Sequence, residues 1–437
     1  MITDFFHKLA AAHQNGTCAG IVSICSANPF VIRAALEHAR QDTRPVLIES
    51  TGRQVNQFRG YAGFTPAEFA RYIRQTAKTS GLDESRIILG ADHLGPGPWQ
   101  TETADAAMEN ACELARQCVL AGFQKLHLDP SMPCKDDVKN GRPYISLETI
   151  AERSALLCKT AEKAAADISG GKSPLIYVVG AEVPLPGGIG AGDHKARVST
   201  AEDLEKTITA MALAFARSGL ADAWGRCVAV VAETGATFDA ETVYPYDSRR
   251  TRPLQQWIEN RNHLVFEAHS TDFQTRDALT DMVRDHLAIL KTGPCLTYAV
   301  REALFSLAAI EKAFLSRQKA VTLSRLPAVM TQLMSSDPSL WQHHYRGSHE
   351  YLEYITVFGY SDRIRYYWSH PDARKAVDQL FDNLSQYGIP LPLVSQYLPD
   401  LLDKVQDGRI PAIPERLVIE KIKNVLDTYT AVCGEKI

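Results

Sequence analysis

The 437-residue chain has nine cysteines, an odd number, and no C-x-x-C pair. A disulfide framework and a zinc knuckle are therefore not expected, and a reducing compartment suits the chain best. No uninterrupted apolar run reaches the roughly 20 residues that a bilayer span demands. The start, "MITDFFHKLAAAHQNG", reads as an amphipathic helix. It lacks the basic opening and long apolar middle of a secretory signal, so a cytoplasmic location is expected. Neither sign of charge dominates: the formal net charge is −4 and the pI is about 6.4. Bulk electrostatics thus gives no reason to expect nucleic acid or a membrane as partner. G-x-x-x-x-G-K-[ST] is absent, and "GGIGAG" follows two prolines, not a strand that leads into a helix. Neither ATP nor NAD is expected.

What the chain does have is one ending, repeated eight times. "GIVSICSANP" stops at Ser26 and Asn28, "PVLIES" at Glu49, and "RIILGADH" at Asp92 and His93. "KLHLDP" carries His127 and Asp129, "IYVVGAEVP" stops at Glu182, and "CVAVVAETG" at Glu233. "HLVFEAHSTD" carries Glu267, His269 and Asp272, and "LAILKTGP" stops at Lys291. Between these apolar runs lie segments with helical spacing, such as "TPAEFARYIRQTAKTSG", with Thr65 as a cap and Gly81 as its end. Eight strand–helix units with polar strand ends predict an α/β fold of the (β/α)8 TIM-barrel type. Its strands are buried on both faces and open at one rim, where active sites are built. An open doubly wound sheet would gather functional groups at a single switch point instead. The alternation stops near residue 320. The expected organisation is a barrel over 1–320 and a mainly helical region over 321–437 packed on it.

The polar ends suggest chemistry. Histidines and carboxylates on separate strands suit Zn, Mn, Fe or Co once the barrel closes. Lys291 has three readings: a Schiff-base amine, a cation for a phosphate or enediolate, or an ion pair with Glu49 or Glu267. "HLGPGPW" and "VPLPGGIGAGDH" leave backbone N–H groups free for an anion. In "SDRIRYYW", Arg363 and Arg365 suit a phosphate, since guanidinium is planar and bidentate. Cys25, Cys134 and Cys295 read as small buried residues.

Eight motifs go further. "ICSANPFVI", "VLIESTGRQVNQFRGYAGFTP", "ILGADHLGPGPW", "GFQKLHLDPSM", "EVPLPGG", "FEAHSTDFQT", "ILKTGPCLTYAVREALF" and "SDRIRYYW" occur in this order from about Gly20 onward. Together they strongly resemble the GatZ/KbaZ family, the Z subunits of D-tagatose-1,6-bisphosphate aldolase. One departure is "VVAETGATF" where the family pattern reads "VVQPGVEF", which places Glu233 and Thr234 at a Gln-Pro pair.

The resemblance implies a (β/α)8-type fold and one of three roles: a chaperone-like subunit beside a catalytic class II aldolase chain, a tagatose 6-phosphate kinase, or a 4-epimerase of D-tagatose 6-phosphate and D-fructose 6-phosphate. The ring of strand-end acids, imidazoles and a lysine favours the epimerase, by a metal-assisted retro-aldol route. The expected metal ligands are His93, His127, Glu182 and His269. Glu49, Asp92 and Glu267 are candidate bases, and Lys291 stabilises the enediolate. Asp129, Gly187, Gly188, Glu233, Asp272, Arg363 and Arg365 are expected to contact substrate. The expected partners are a ketose phosphate and, in the subunit role, a class II aldolase catalytic chain. A homo-oligomer is left open.

Overall fold

The computed structural model describes residues 2–170, 173–181, 197–261 and 263–434. Eight parallel strands close into a barrel: β1 Ile21–Cys25, β2 Val46–Thr51, β3 Ile87–Leu94, β4 Lys125–Leu128, β5 Ile176–Val179, β6 Cys227–Val231, β7 Val265–Ala268 and β8 Leu287–Thr292. β1 closes the ring against β8, with Ile21 beside Ile289. Each strand coincides with one of the eight apolar runs to within a residue at its end, and β5 and β6 are buried along their whole length. Helices packed outside the ring bury the second face, which is why the runs do not alternate.

Local signals set the helix ends. Thr65 and Glu68 form a reciprocal capping box at the start of Pro66–Ser80, and Gly81 ends that helix at φ 70°. Asn28 caps Pro29–His38 by accepting from the backbone N–H groups of Phe30 and Val31. The first helix, Ile2–Gln14, sends Phe6, Leu9 and Ala10 into an apolar cluster with Ile21, Ile88, Ile176, Val228 and Val265. These residues lie at or near the strand starts, so the helix stoppers the lower end of the barrel.

Two short hairpins escape hydrophobic periodicity: Val138–Lys139 with Arg142–Pro143, and Thr237–Phe238 with Val243–Tyr244. Two-residue strands are too short to show a period. In the C-terminal region, the segment from Asp362 to Tyr387 is not one continuous helix. A short 3₁₀ turn spans Arg363–Tyr367, and a new helix runs Pro371–Tyr387. Pro371 has no N–H to continue a helix but suits the first position of one, and His370 caps it.

The last long helix, Pro414–Thr430, lies against Pro29–His38 and Pro294–Leu315. Tyr429 donates to the Thr271 carbonyl at 2.8 Å, and the Gly20 N–H donates to the Cys433 carbonyl at 2.9 Å. Glu37 receives Arg416 at 2.5 Å and Lys423 at 3.0 Å. Among the described residues, no helix is long and apolar enough to cross a membrane.

Burial raises the Glu37 carboxyl, but hydrogen bonds from Arg416, Lys423 and Arg33 outweigh it and hold the group at about 2. In the unfolded chain a glutamate titrates near about 4.3. The stability Glu37 adds is therefore complete above that pH and lost as pH falls toward its folded value. Denaturant titrations of wild type and Glu37→Gln should differ by roughly 1–3 kcal/mol at neutral pH and converge in acid. A difference that stays constant down to acid would reject the account.

Candidate metal and substrate site

Adjacent residues on a strand face opposite sides, so Asp92 and His93 should not both reach the barrel mouth. They do because β3 bulges. Its register against β4 slips between Ala91 and Leu94, and His93 adopts a left-handed backbone with φ 46°. A bulge of this kind re-aims a side chain. On β4, Lys125 and His127 are two residues apart, as are Glu267 on β7 and His269 just beyond it, so each pair shares a face.

One donor atom from each of Asp92, His93, His127 and His269 lies within 4.8 Å of the others. Each ring is held from behind. His93 Nδ1 is 2.6 Å from Asp129 Oδ2, His269 Nε2 is 3.0 Å from Glu267 Oε1, and His127 Nδ1 is 3.0 Å from Asp92 Oδ1. A ring N–H that donates to a carboxylate leaves the opposite nitrogen unprotonated and free to ligate. The His93 backbone N–H also approaches His127 Nδ1, at 3.2 Å, which suits the other tautomer; a cation on Nε2 would select the first. His127 Nε2 is buried without a partner, a costly state unless something fills it. Burial lowers His269 to about 3, against its bond to Glu267, and so keeps it neutral. Burial also lowers His93, but Asp92 and Asp129 outweigh that and raise it. Three imidazoles with carboxylates form a donor set that fits a divalent transition metal.

Beneath this cluster lies a lattice of charge. Lys125 Nζ is 2.6 Å from Glu49 Oε1 and 2.5 Å from Glu267 Oε2, and all three side chains are 0% exposed. Lys291 Nζ is 2.6 Å from Glu49 Oε2, 2.8 Å from Asp92 Oδ1 and 3.6 Å from Glu267 Oε1. Burial opposes the charges of Glu267, Asp92 and Lys291, and the attraction of their neighbours overrides it. Against burial, Lys125, Lys291 and His269 hold Glu267 well below the carboxylate range. His93, Lys291 and His127 do the same for Asp92. Lys291 is held well above the usual lysine value by Asp92, Glu267 and Glu49. Gly90 leaves room for the lattice, since a Cβ there would lie 2.7 Å from Glu49 Cγ.

A cavity of about 370 Å³ opens onto the cluster. Asp92, His93, His269, Asp272 and Lys291 line it, and so do Arg53 and Arg365. Glu49 and Glu267 lie under it, not at a solvent-facing strand end as their sequence positions suggested. Asp129 braces His93. Asp272 Oδ1 accepts from Gly293 N at 3.0 Å and Cys295 N at 2.9 Å, capping the helix Pro294–Leu315. Glu233 does not line the cavity; its Oε2 is 3.9 Å from Arg197 Nε. Arg363 is buried and donates to the Tyr366 hydroxyl at 2.6 Å. Glu182, Gly187 and Gly188 lie outside the described residues. Sequence reading missed Lys125. The available signal was its position two residues before His127, a lysine in an otherwise apolar strand.

A family model described as D-tagatose-1,6-bisphosphate aldolase subunit GatZ/KbaZ-like matches residues 6–434. A protein named D-tagatose-1,6-bisphosphate aldolase subunit GatZ, from Escherichia coli O9:H4 (strain HS), is 45% identical over 98% of this chain and 99% of its own. A protein of the same name from Escherichia coli O1:K1 / APEC matches to the same extent. Among solved structures, a probable tagatose 6 phosphate kinase from Sinorhizobium meliloti 1021 superimposes with TM-score 0.84 at 38% identity, covering 95% of this chain and 100% of that one.

Two outcomes test the site. Lys125→Met leaves two buried carboxylates short of a cation and should destabilise the chain by about 3–5 kcal/mol in urea titrations. A loss below about 1 kcal/mol would show that the lattice does not depend on it. In competition with a chelating dye, His127→Ala should abolish tight divalent-metal binding, and Asp129→Asn should weaken it roughly 10–100-fold. Wild-type affinity in both variants would rule out the cluster as the ligand set.

Proposed function

Because the chain belongs to the D-tagatose-1,6-bisphosphate aldolase subunit GatZ/KbaZ-like family, we propose that it serves as a subunit of a D-tagatose-1,6-bisphosphate aldolase beside a class II aldolase chain. The observation that carries this reading is the end-to-end match, 45% identity over 98% of the chain, to relatives bearing that name. Co-expression with a class II D-tagatose-1,6-bisphosphate aldolase chain tests it. The two chains should co-purify, and the aldolase should keep its activity longer in the presence of this chain. Two proteins that elute apart, with an aldolase indifferent to the addition, would reject the reading.

The cavity favours a second reading, in which the chain also acts on ketose phosphates itself, as an epimerase of D-tagatose 6-phosphate and D-fructose 6-phosphate at C4. A purely supporting subunit has no use for three converging imidazoles above a buried lysine. C4 is not adjacent to the C2 carbonyl, so inversion proceeds by breaking C3–C4, turning the aldehyde fragment and re-forming the bond on its other face. The C4 hydroxyl gives up its proton, the bonding pair moves toward C2, and the C2 oxygen takes up negative charge. Both changes reverse on closure, with no net oxidation. Asp92, His93, His127 and His269 would hold a divalent cation, which when bound supplies Lewis-acid polarisation of the C2 carbonyl and C3 hydroxyl.

Lys291 meets the developing oxyanion as a fixed ammonium. Its raised pKa disfavours the Schiff-base role, which needs a neutral amine. Asp92, Asp129 and Glu267 are held too acidic to be strong bases. Asp272 lines the cavity and burial raises its carboxyl, which makes it the better proton acceptor for the C4 hydroxyl. A kinase role has no support in a phosphate-cradling P-loop motif.

The isolated chain, given D-tagatose 6-phosphate, should form D-fructose 6-phosphate in a chelator-sensitive manner, and Lys291→Met should lower kcat by roughly 100–1,000-fold. Absence of product with Zn or Mn added would remove this second reading and leave the subunit role.

A further inference from the structure

Away from the imidazole cluster, the cavity changes character. Its wall there comes from the loop after β2 and from the C-terminal region, and it includes Arg53, Tyr61, Arg365, Tyr366 and Trp368. The polar groups on this wall are mainly donors. Arg53 donates to the Gly97 carbonyl at 2.8 Å. Arg365 donates to the Ser361 and Asp362 carbonyls and, at 3.1 Å, to the Tyr366 hydroxyl. Among the described residues, no carboxylate forms an ion pair with Arg53 or Arg365. Asp362 turns instead to Thr297, at 2.5 Å, and Arg301, at 3.8 Å. Asp378, an exposed residue, is the acid on this part of the wall.

The Tyr366 oxygen accepts from Arg363 as well as Arg365, so its own O–H proton remains to be donated outward. The Trp368 indole N–H is buried without a partner. Two neighbouring groups register the field of the arginines. Burial raises Tyr366, yet Arg363, Arg365 and Arg53 bring it down to about 8. Burial, then Arg363, Arg365 and Arg53, bring His344 down to about 3.

We propose that Arg53, Arg365 and the hydroxyl of Tyr366 form a clamp for the phosphate group of a ketose phosphate whose carbon chain extends toward His93, His269 and Lys291. The identity of the ligand as a ketose phosphate rests on the reading of the cavity given above; the clamp itself is a phosphate site. Guanidinium forks and a phenol donor match phosphate oxygens, and among the described residues no carboxylate is within ion-pair distance of either guanidinium. The C-terminal region thereby becomes part of the binding site, since Arg365 and Tyr366 both belong to it.

Calorimetric titration of the full-length chain with inorganic phosphate tests the clamp. Wild type should bind. Arg53→Gln and Arg365→Lys should each bind roughly tenfold or more weakly, because each loses charge-assisted hydrogen bonds. His269→Ala, altered only at the imidazole cluster, should bind as wild type does. Arg53 is exposed, so Arg53→Gln keeps the fold, and its thermal melting confirms this. No phosphate binding by wild type, or undiminished binding in both arginine variants, would overturn the clamp. So would a loss confined to His269→Ala, which would place phosphate at the imidazole cluster. Phosphate binding with the expected variant pattern but no turnover of D-tagatose 6-phosphate would leave the clamp in place and remove only the epimerase reading.

Discussion

Four charged side chains from four strands are locked together inside the barrel, three of them sealed from water and the fourth, Lys291, at the cavity surface. Glu49 comes from β2, Lys125 from β4, Glu267 from β7 and Lys291 from β8. None could stand there alone, because burying an isolated charge costs several kcal/mol. Each pair is therefore a condition on barrel closure: the strands must meet in one register for the charges to find each other. The cavity depends on this lattice. Glu267 orients His269, Lys291 holds Asp92, and Asp92 holds His127. Two lysines face three carboxylates, Glu49, Glu267 and Asp92, which leaves the floor of the cavity one positive charge short. A divalent cation beside Asp92 would fit that shortfall.

The opposite wall carries the reverse imbalance. Arg53 and Arg365 stand beside one tyrosine with no ion-paired carboxylate among the described residues, and the buried acid Asp362 bonds to Thr297. A cavity acidic and metal-suited at its floor, and cationic at its wall, has the polarity of a site for a phosphorylated polyol. The helical C-terminal region is what creates that wall. Its attachment through Glu37, Thr271 and Gly20 is therefore also a constraint on the site.

The family assignment and the geometry bear on different questions. Similarity along nearly the whole length speaks to the family the chain belongs to. The imidazoles, the lysine and the arginines speak to what the cavity can hold. The two are compatible, because aldol cleavage and inversion at C4 by way of C3–C4 cleavage share their bond-breaking step.

Much of this was legible in the chain itself. Buried parallel strands leave apolar runs, strand ends at the mouth leave polar residues, and caps such as Thr65 and Gly81 mark helix ends, all by local physics. His93, His127, His269, Asp92 and Lys291 could be named from those rules alone. Other features were decided only by closure. A strict alternation of faces would separate Asp92 from His93, and a single left-handed residue unites them. Glu49 and Glu267 read as rim acids, yet they lie beneath the cavity because Lys125, three strands away in sequence from Glu267, reaches both. The arginine wall joins Arg53 to Arg365 across 312 positions. Sequence determines what each segment can bury and where it must stop. Which distant charges neutralise one another, and which are left to attract a ligand, is a property of distances that exist only once the barrel has closed.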